Sequence, residues 1–356
     1  MNILLLANEL RYTCGVTNHL LHLSRGLTGT GKVNLWIICG GGNGVNRFSD
    51  VNVNIITDER FLHLTRTFSG FISSINFLVK FIRQNKIDVS HSHYHYGAAI
   101  ANRASRLTGI TTIQTNHGLL ADTGRLKHFN ADRYIAINGH IKDHLLKNKI
   151  AAERNITFIR CGIPCPDNLQ VKNEGDIIRV LAASRFTYGK GLDIFIKAVS
   201  LLPEEILKKA EFIIAGEGEL EEKLKKLNEA AGGRIKFPGK VTDMYSYLKN
   251  IHVLVNPTCS DAEGFPAIIT EAGASNTLVI SSDFNGHDDV LQNEANSLIY
   301  KSDSPEELSE LLKKVITGYK DYQPAAGNLY NKIKTEFSID EMISKHILLY
   351  TECLKK

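Results

Sequence analysis

IIRVLAASRFTYGKGLDIFIKAV, residues 177–199, carries the pattern on which the fold turns. The apolar run over 177–184 reads as a strand buried on both faces. A loop with Arg185, Lys190 and Gly191 follows, and helical spacing then continues to about residue 201. Strand, loop and helix in that order make the first half of a βαβ unit. The alternation repeats downstream. EFIIAG (211–216), RIKFPG (234–239), HVLVNP (252–257) and LVISS (278–282) read as strands, with helices near 219–231, 242–249, 266–275 and 304–317.

Upstream the same grammar recurs. NILLLA (2–7), VNLWIIC (33–39), VNVNII (51–56), IDVSHSH (87–93), TTIQT (111–115), RYIAIN (133–138) and ITFIRC (156–161) are strands; 17–28, 70–84, 96–107 and 139–147 are helical. Between the two halves, PCPDNLQVKNEGD (164–176) is polar and aperiodic, a linker. Strands alternating with helices imply parallel sheets covered on both faces. The expectation is an α/β protein of two doubly wound, Rossmann-like domains, 1–168 and 169–334, with ligands in a central cleft beyond the carboxyl ends of the strands. The tail SIDEMISKHILLYTECL, within 335–356, reads as an amphipathic helix.

With 356 residues and 43% hydrophobic content, the chain can bury two real cores. MNILLLANEL lacks the basic region and cleavage site of a signal peptide, and the longest apolar-rich stretch, GFISSINFLVKFI, is too interrupted to span a bilayer. A soluble, cytoplasmic protein is expected. Its six cysteines (14, 39, 161, 165, 259 and 353) form no C-x-x-C pair and read as reduced thiols. Residues 1–170 hold 19 Lys and Arg against 10 Asp and Glu; residues 171–356 hold 23 against 28. The basic front half therefore suits an anionic partner, although a chance surface imbalance gives the same count.

The most informative chemistry lies in SDAEGFPAIITEAGAS (260–275). Gly264 permits a turn, Pro266 suits a first helical position, and the amides of Ala267 and Ile268 then face outward as an anion site. Glu263 and Glu271 stand eight residues apart, and carboxylates accept paired hydrogen bonds from vicinal sugar hydroxyls. Arg185 and Lys190 supply two cations at a strand end, where a diphosphate would want them. Gly216 and Gly218 in IIAGEGEL allow close approach of a flat ligand, and Gly15 begins a helix after the first strand. His117 and Gly118 lie just past TTIQT. A single loop histidine is more often structural than catalytic.

Taken together these segments resemble family 4 of the retaining glycosyltransferases, enzymes of the GT-B fold. The resemblance rests on the E-x7-E pair Glu263 and Glu271, SRFTYGKG, AGEGEL, TNHG, CGVTNHLLHLSRGL and the closing FSIDEMISKHILLY, in order along nearly the whole chain. It implies that the last helix crosses back to the first domain. It also implies a catalytic set of His117, Glu263, Arg185 and Lys190. The donor-binding set would be Gly15, Arg185, Lys190, Gly216, Glu263, Gly264, Phe265, Ala267, Ile268 and Glu271. In that set Arg185, Lys190 and the amides near Ala267 and Ile268 hold the diphosphate, Glu271 the ribose and Glu263 the sugar hydroxyls. His117 lies over the donor sugar. The family needs no metal or other cofactor, because cations and helix dipoles neutralise the leaving nucleoside diphosphate. Two departures are Cys14-Gly15 in place of a glycine pair and Asn276 where glycine is common.

SHSHYHYG (90–97) spaces His91, His93 and His95 as three imidazoles on one strand face. The resemblance places a strand end here, so the alternation breaks after Tyr94, the three rings do not converge, and no metal site is expected. The segment 61–86 sets Arg60, Arg66, Lys80, Arg83 and Lys86 beside five phenylalanines. It fits either an anionic membrane surface or a core-facing helix with solvated charges. The favoured function is transfer of a hexose-type sugar from a nucleotide-sugar donor to a saccharide or lipid-linked acceptor, as in surface polysaccharide or glycolipid assembly. A nucleotide-sugar 2-epimerase and a non-catalytic nucleotide-sugar or glycan-binding protein are the competing readings. Nucleic acid is not an expected partner.

Overall fold

In the computed structural model, the residues described are 1–12, 14–62, 67–119, 131–167, 172, 177–259, 267–284, 287 and 289–355. The chain divides into two compact units, Met1–Gly162 with Phe337–Lys356, and Ile163–Glu336.

The first unit is built on seven strands: β1 (Asn2–Leu6), β2 (Asn34–Cys39), β3 (Asn54–Thr57), β4 (Val89–Ser92), β5 (Thr111–Asn116), β6 (Arg133–Ala136) and β7 (Ile156–Phe158). They form one sheet in the order β3-β2-β1-β4-β5-β6-β7, with every pairing parallel. Its helices are α1 (Gly15–Gly29), α2 (Phe68–Asn85), α3 (His95–Thr108) and α4 (Gly139–Lys147). The period-two geometry of β1 explains why its sequence is apolar throughout. Ile3 and Leu5 pack with Leu20, Leu23 and Leu27 of α1, whereas Leu4 and Leu6 face Leu78 and Ile82 of α2 and Ile100 of α3.

The second unit repeats the plan with β8 (Ile178–Ala183), β9 (Ala210–Ala215), β10 (Ile235–Gly239), β11 (Val253–Asn256), β12 (Leu278–Ser282) and β13 (Leu298–Tyr300). The order is β10-β9-β8-β11-β12-β13, again parallel. Helices α5 (Leu192–Ser200), α6 (Glu204–Leu207), α7 (Glu221–Ala230), α8 (Met244–Leu248), α9 (Ala267–Ala274), α10 (Pro305–Thr317) and α11 (Tyr319–Glu336) accompany it. In both sheets the strand order reverses beside the first strand, between β1 and β4 and between β8 and β11. That reversal opens a crevice at the carboxyl ends, which is where open α/β sheets bind ligands.

The terminal helix, α12 (Ile339–Leu354), belongs to the first unit, where Met342, Ile343 and Tyr350 join the core that contains Ile3 and Leu5. Gly26 makes room for it: a Cβ there would meet Ile343 Cγ1 at 2.3 Å. Helix α11 and the short β13 have no counterpart in the sequence reading. Pro324 lies inside α11, yet Ala325, Ala326, Leu329, Tyr330 and Ile333 are buried. Packing of that face, against α9 among others, outweighs the lost backbone bond.

Helix α2 is the segment read as either lipid-facing or core-facing. Ile75, Leu78 and Ile82 are buried and Phe71, Phe77 and Phe81 pack against the same core, so most of its apolar face is used within the unit. Phe68, 83% exposed, and Ile72, 44% exposed, stand out at its start. Among the described residues no helix is long and apolar enough to cross a membrane.

Candidate functional site

In the second unit the basic loop follows β8 at the crevice. Arg185 is exposed and Lys190 half-buried. Gly191 caps α5 with φ +63°, and its carbonyl accepts from the amides of Ile194 and Phe195. A Cβ at Gly191 would lie 1.8 Å from the carbonyl oxygen of Pro257, just past β11. The Cys259 amide donates to the Gly189 carbonyl at 3.0 Å. The loop bearing Arg185 and Lys190 is thus sewn, backbone against backbone, to the chain leaving β11. That chain runs toward α9, which starts at Ala267 with Ile268 beside it, both half-buried; Glu271 is half-buried one turn further on. Glu263, Gly264, Phe265 and Pro266 lie outside the described residues.

Gly216 serves a packing need. A Cβ there would sit 2.0 Å from the Ser184 carbonyl oxygen, so the loop after β9 crosses the backbone leaving β8 at this point. The Phe186 amide donates to the Glu217 carbonyl at 2.9 Å and tightens the same crossing. Gly273 sets how closely α9 approaches α11, since a Cβ would meet Ile333 Cγ1 at 2.7 Å. Asn276 follows α9 with φ +50°, a left-handed position that asparagine adopts more readily than most residues. Its departure from glycine is therefore a matter of backbone geometry.

In the first unit Gly15 begins α1, exposed, with nothing within 4 Å of a Cβ built there. Internal packing does not require a glycine. His117 follows β5, and its Nε2 lies 3.0 Å from Nδ1 of His93. Burial, reinforced by His346 and His95, pulls His117 down to about 3. At neutral pH it offers an uncharged imidazole, able to hydrogen-bond a hydroxyl but unable to serve as a standing cation.

The histidine run divides three ways. His91 bonds Tyr350 and Thr115, each at 2.7 Å. The His93 ring packs against His91 with centroids 4.3 Å apart. His95 starts α3 and contacts the Gln114 amide at 2.6 Å. Two further imidazoles join His93 and His117: His19 from α1, 4.9 Å centroid-to-centroid from His117, and His346 from α12, 6.3 Å from His19. Sequence reasoning gave no role to either. His19 and His346 are hundreds of residues apart, and no local spacing pairs residues that only the sheet and the returning helix bring together.

Two parallel α/β units, each with a strand-order reversal in its sheet, make up the GT-B fold. Residues 168–332 match the family described as "Glycosyl transferases group 1", and residues 13–165 match "Glycosyltransferase Family 4". The chain belongs to this glycosyltransferase family. Among curated proteins it is 23% identical to a phosphatidylinositol N-acetylglucosaminyltransferase component of Arabidopsis thaliana, over 96% of this chain and 79% of that protein. It is also 23% identical to the UDP-Gal:alpha-D-GlcNAc-diphosphoundecaprenol alpha-1,3-galactosyltransferase of Escherichia coli, over 79% of each. Among solved structures, a glycosyltransferase from Rickettsia africae shares the fold with a TM-score of 0.86 and 18% identity, covering 100% of this chain and 99% of that one. Anabaena HepE in complex with UDP-glucose gives 0.82 and 15%, covering 99% and 100%.

Proposed function

We propose that this glycosyltransferase moves a hexose-type sugar, with retention of configuration, from a nucleoside-diphosphate-sugar donor to a saccharide or lipid-linked acceptor in glycan or glycolipid assembly. The observation that carries the reading is the joined pair of loops after β8 and β11. It fixes Arg185 and Lys190 at the crevice of the second unit, beside the chain that leads into α9. A diphosphate there meets two cations and the amides of a helix start, which stabilise the charge that develops as the glycosidic bond breaks. In this reading neutralisation needs no resident metal at the diphosphate. Glu271 binds the ribose, Glu263 the sugar hydroxyls, and neutral His117 a hydroxyl near the reacting carbon. Attack from the face the diphosphate leaves, with the departing phosphate as base, accounts for retention without a protein nucleophile.

The names of relatives support the donor and acceptor classes. One acts on a diphosphoundecaprenol-linked sugar with a UDP-sugar, and HepE was solved with UDP-glucose. A thermal-shift screen of UDP-, GDP- and ADP-sugars tests the reading. A ligand at about 100 times its dissociation constant stabilises by about 2.7 kcal/mol. The expected result is a shift with one base class, lost in Lys190→Ala and Glu271→Ala. Absence of any shift, or a shift that both variants keep, refutes the donor site.

A further inference from the structure

His93, just past β4, is 2% exposed, yet its Nε2 is buried with no hydrogen-bond partner among the described residues. Buried polar atoms are nearly always paired, so an orphan asks what the side chain does that an apolar one would not. The answer lies at the other ring nitrogen: Nδ1 of His93 stands 3.0 Å from Nε2 of His117. The surroundings hold the ring in that contact. The His93 backbone amide donates to the Leu6 carbonyl at 2.9 Å, which ties the residue to β1. Its ring lies against His91, with centroids 4.3 Å apart, and His91 is itself pinned at both nitrogens by Tyr350 and Thr115. His19 closes another side, its centroid 5.3 Å from that of His93 and 4.9 Å from that of His117. Within this packed group the His93 ring bonds to His117 and, among the described residues, to nothing else.

We propose that His93 is a positioning residue for the transfer reaction: it donates from Nδ1 to Nε2 of His117 and so fixes His117 with its proton on Nδ1, as a hydrogen-bond donor toward the donor sugar. The proposal rests on the reading of His117 as a contact of that sugar. Burial keeps both rings uncharged, so each carries one proton and a single proton lies between the two nitrogens. Two arrangements satisfy the contact. If His117 donated, the proton of His93 would sit on Nε2, a buried N–H with no acceptor. If His93 donates, that Nε2 is a bare lone pair, and folded proteins tolerate an unpaired acceptor better than an unpaired N–H. The second arrangement is favoured for that reason. The hydrogen bond made by one ring nitrogen then decides what the other carries. His117 makes no other hydrogen bond among the described residues, which leaves Nδ1 for substrate. Two consequences follow for the reaction. His117 recognises an oxygen lone pair of the sugar rather than a hydroxyl proton. It also has no free lone pair at Nδ1, so it does not take the acceptor's proton, in agreement with the departing phosphate as base.

The test has two readouts on the full chain. Long-range nitrogen–proton NMR correlation of the ligand-free parent at neutral pH reads the tautomer of His117, assigned by the signals that His117→Gln removes. We expect the Nδ1–H form in the parent and, in His93→Leu, the Nε2–H form that free histidine favours. His93→Asn, whose amide can donate from the place of Nδ1, should recover the Nδ1–H form. Calorimetric titration then compares UDP, GDP and ADP with their glucose conjugates. For the base that binds, His93→Leu should keep the parent's affinity for the diphosphate and bind the glucose conjugate roughly two- to tenfold more weakly, the worth of one hydrogen bond, with His93→Asn restoring it. A merely structural role would weaken both ligands together or neither. An Nε2–H tautomer in the parent, a tautomer that His93→Leu leaves unchanged, or an equal change for diphosphate and conjugate overturns the proposal. The tautomer is read on the parent chain, so the test stands even if His93→Leu does not fold. Failure of every diphosphate to bind refutes the donor reading, and with it the sugar contact, while the tautomer shows separately whether His93 sets the proton of His117.

Discussion

Gly191→Ala should be among the most damaging single-methyl additions in the second unit, and the structure says why. At φ +63° an L-residue with a Cβ carries about 1–2 kcal/mol of backbone strain. The new methyl would also start 1.8 Å from the Pro257 carbonyl oxygen. That atom is backbone at the end of a central strand, so no rotamer change relieves the overlap. The loop or the chain leaving β11 must move by more than an ångström. Overpacking of this kind costs typically 1–3 kcal/mol, occasionally more, which with the strain gives about 2–5 kcal/mol in all. Gly109→Ala is the control: φ is +79° but nothing lies within 4 Å of its Cβ, so only the backbone strain applies. Far-UV circular dichroism is the right melting probe, because the sole tryptophan, Trp36, sits on β2 in the other unit. At about 2–4 °C per kcal/mol the expected loss in Tm is roughly 4–20 °C for Gly191→Ala. Donor binding should weaken as well, since Lys190 is the adjacent residue. If Gly191→Ala melts no lower than Gly109→Ala, the close approach of the two loops is not what the glycine serves.

Three other outcomes follow from the geometry. Gly15→Ala meets no atom within 4 Å and has ordinary backbone angles, so its Tm should stay within about 1 °C of the parent while kcat/KM falls if ligand approaches α1 here; unchanged kinetics would remove Gly15 from the site. His22 is pulled to about 4 by burial and by Arg25 and Arg47. A folded pKa below the ordinary 6.5 means the unfolded chain binds the extra proton first, so stability is lost as pH falls below about 6.5. Between pH 7 and pH 5 this amounts to about 2 kcal/mol. Urea unfolding of His22→Gln should show a loss over that interval smaller by about this amount, and an identical slope would contradict it. Phe68→Glu with Lys80→Glu should abolish any co-sedimentation with anionic vesicles, since these are an exposed apolar and an exposed basic residue of α2; full retention would exclude that helix as a membrane contact.

The sequence by itself determined the two sheets. Leu4 and Leu6 on one face of β1, with Ile3 and Leu5 on the other, are a local pattern that only a strand covered on both sides explains. The strand–basic loop–helix signature at 177–199 was equally local, and its Arg185, Lys190 and Gly191 came out in one loop at the crevice. Helix α11 was not legible, because Pro324 breaks the local pattern and burial of the face around Leu329 and Ile333 restores it. Nor were the uses of three positions: Gly216 faces Ser184, Gly273 faces Ile333, and Asn276 closes a helix in the left-handed region. The imidazole cluster marks the limit most clearly. The run SHSHYHYG spaces three histidines in a row, but His95 starts α3 and contacts Gln114, and only His91 and His93 stay in the cluster. His19 and His117 join it from α1 and the end of β5, and His346 stands beside them on a helix that returns from the far end of the chain. Spacing along a strand decides which way neighbouring side chains point. Strand order and the return of α12 decide which distant side chains meet, and those depend on packing that no short window of residues contains.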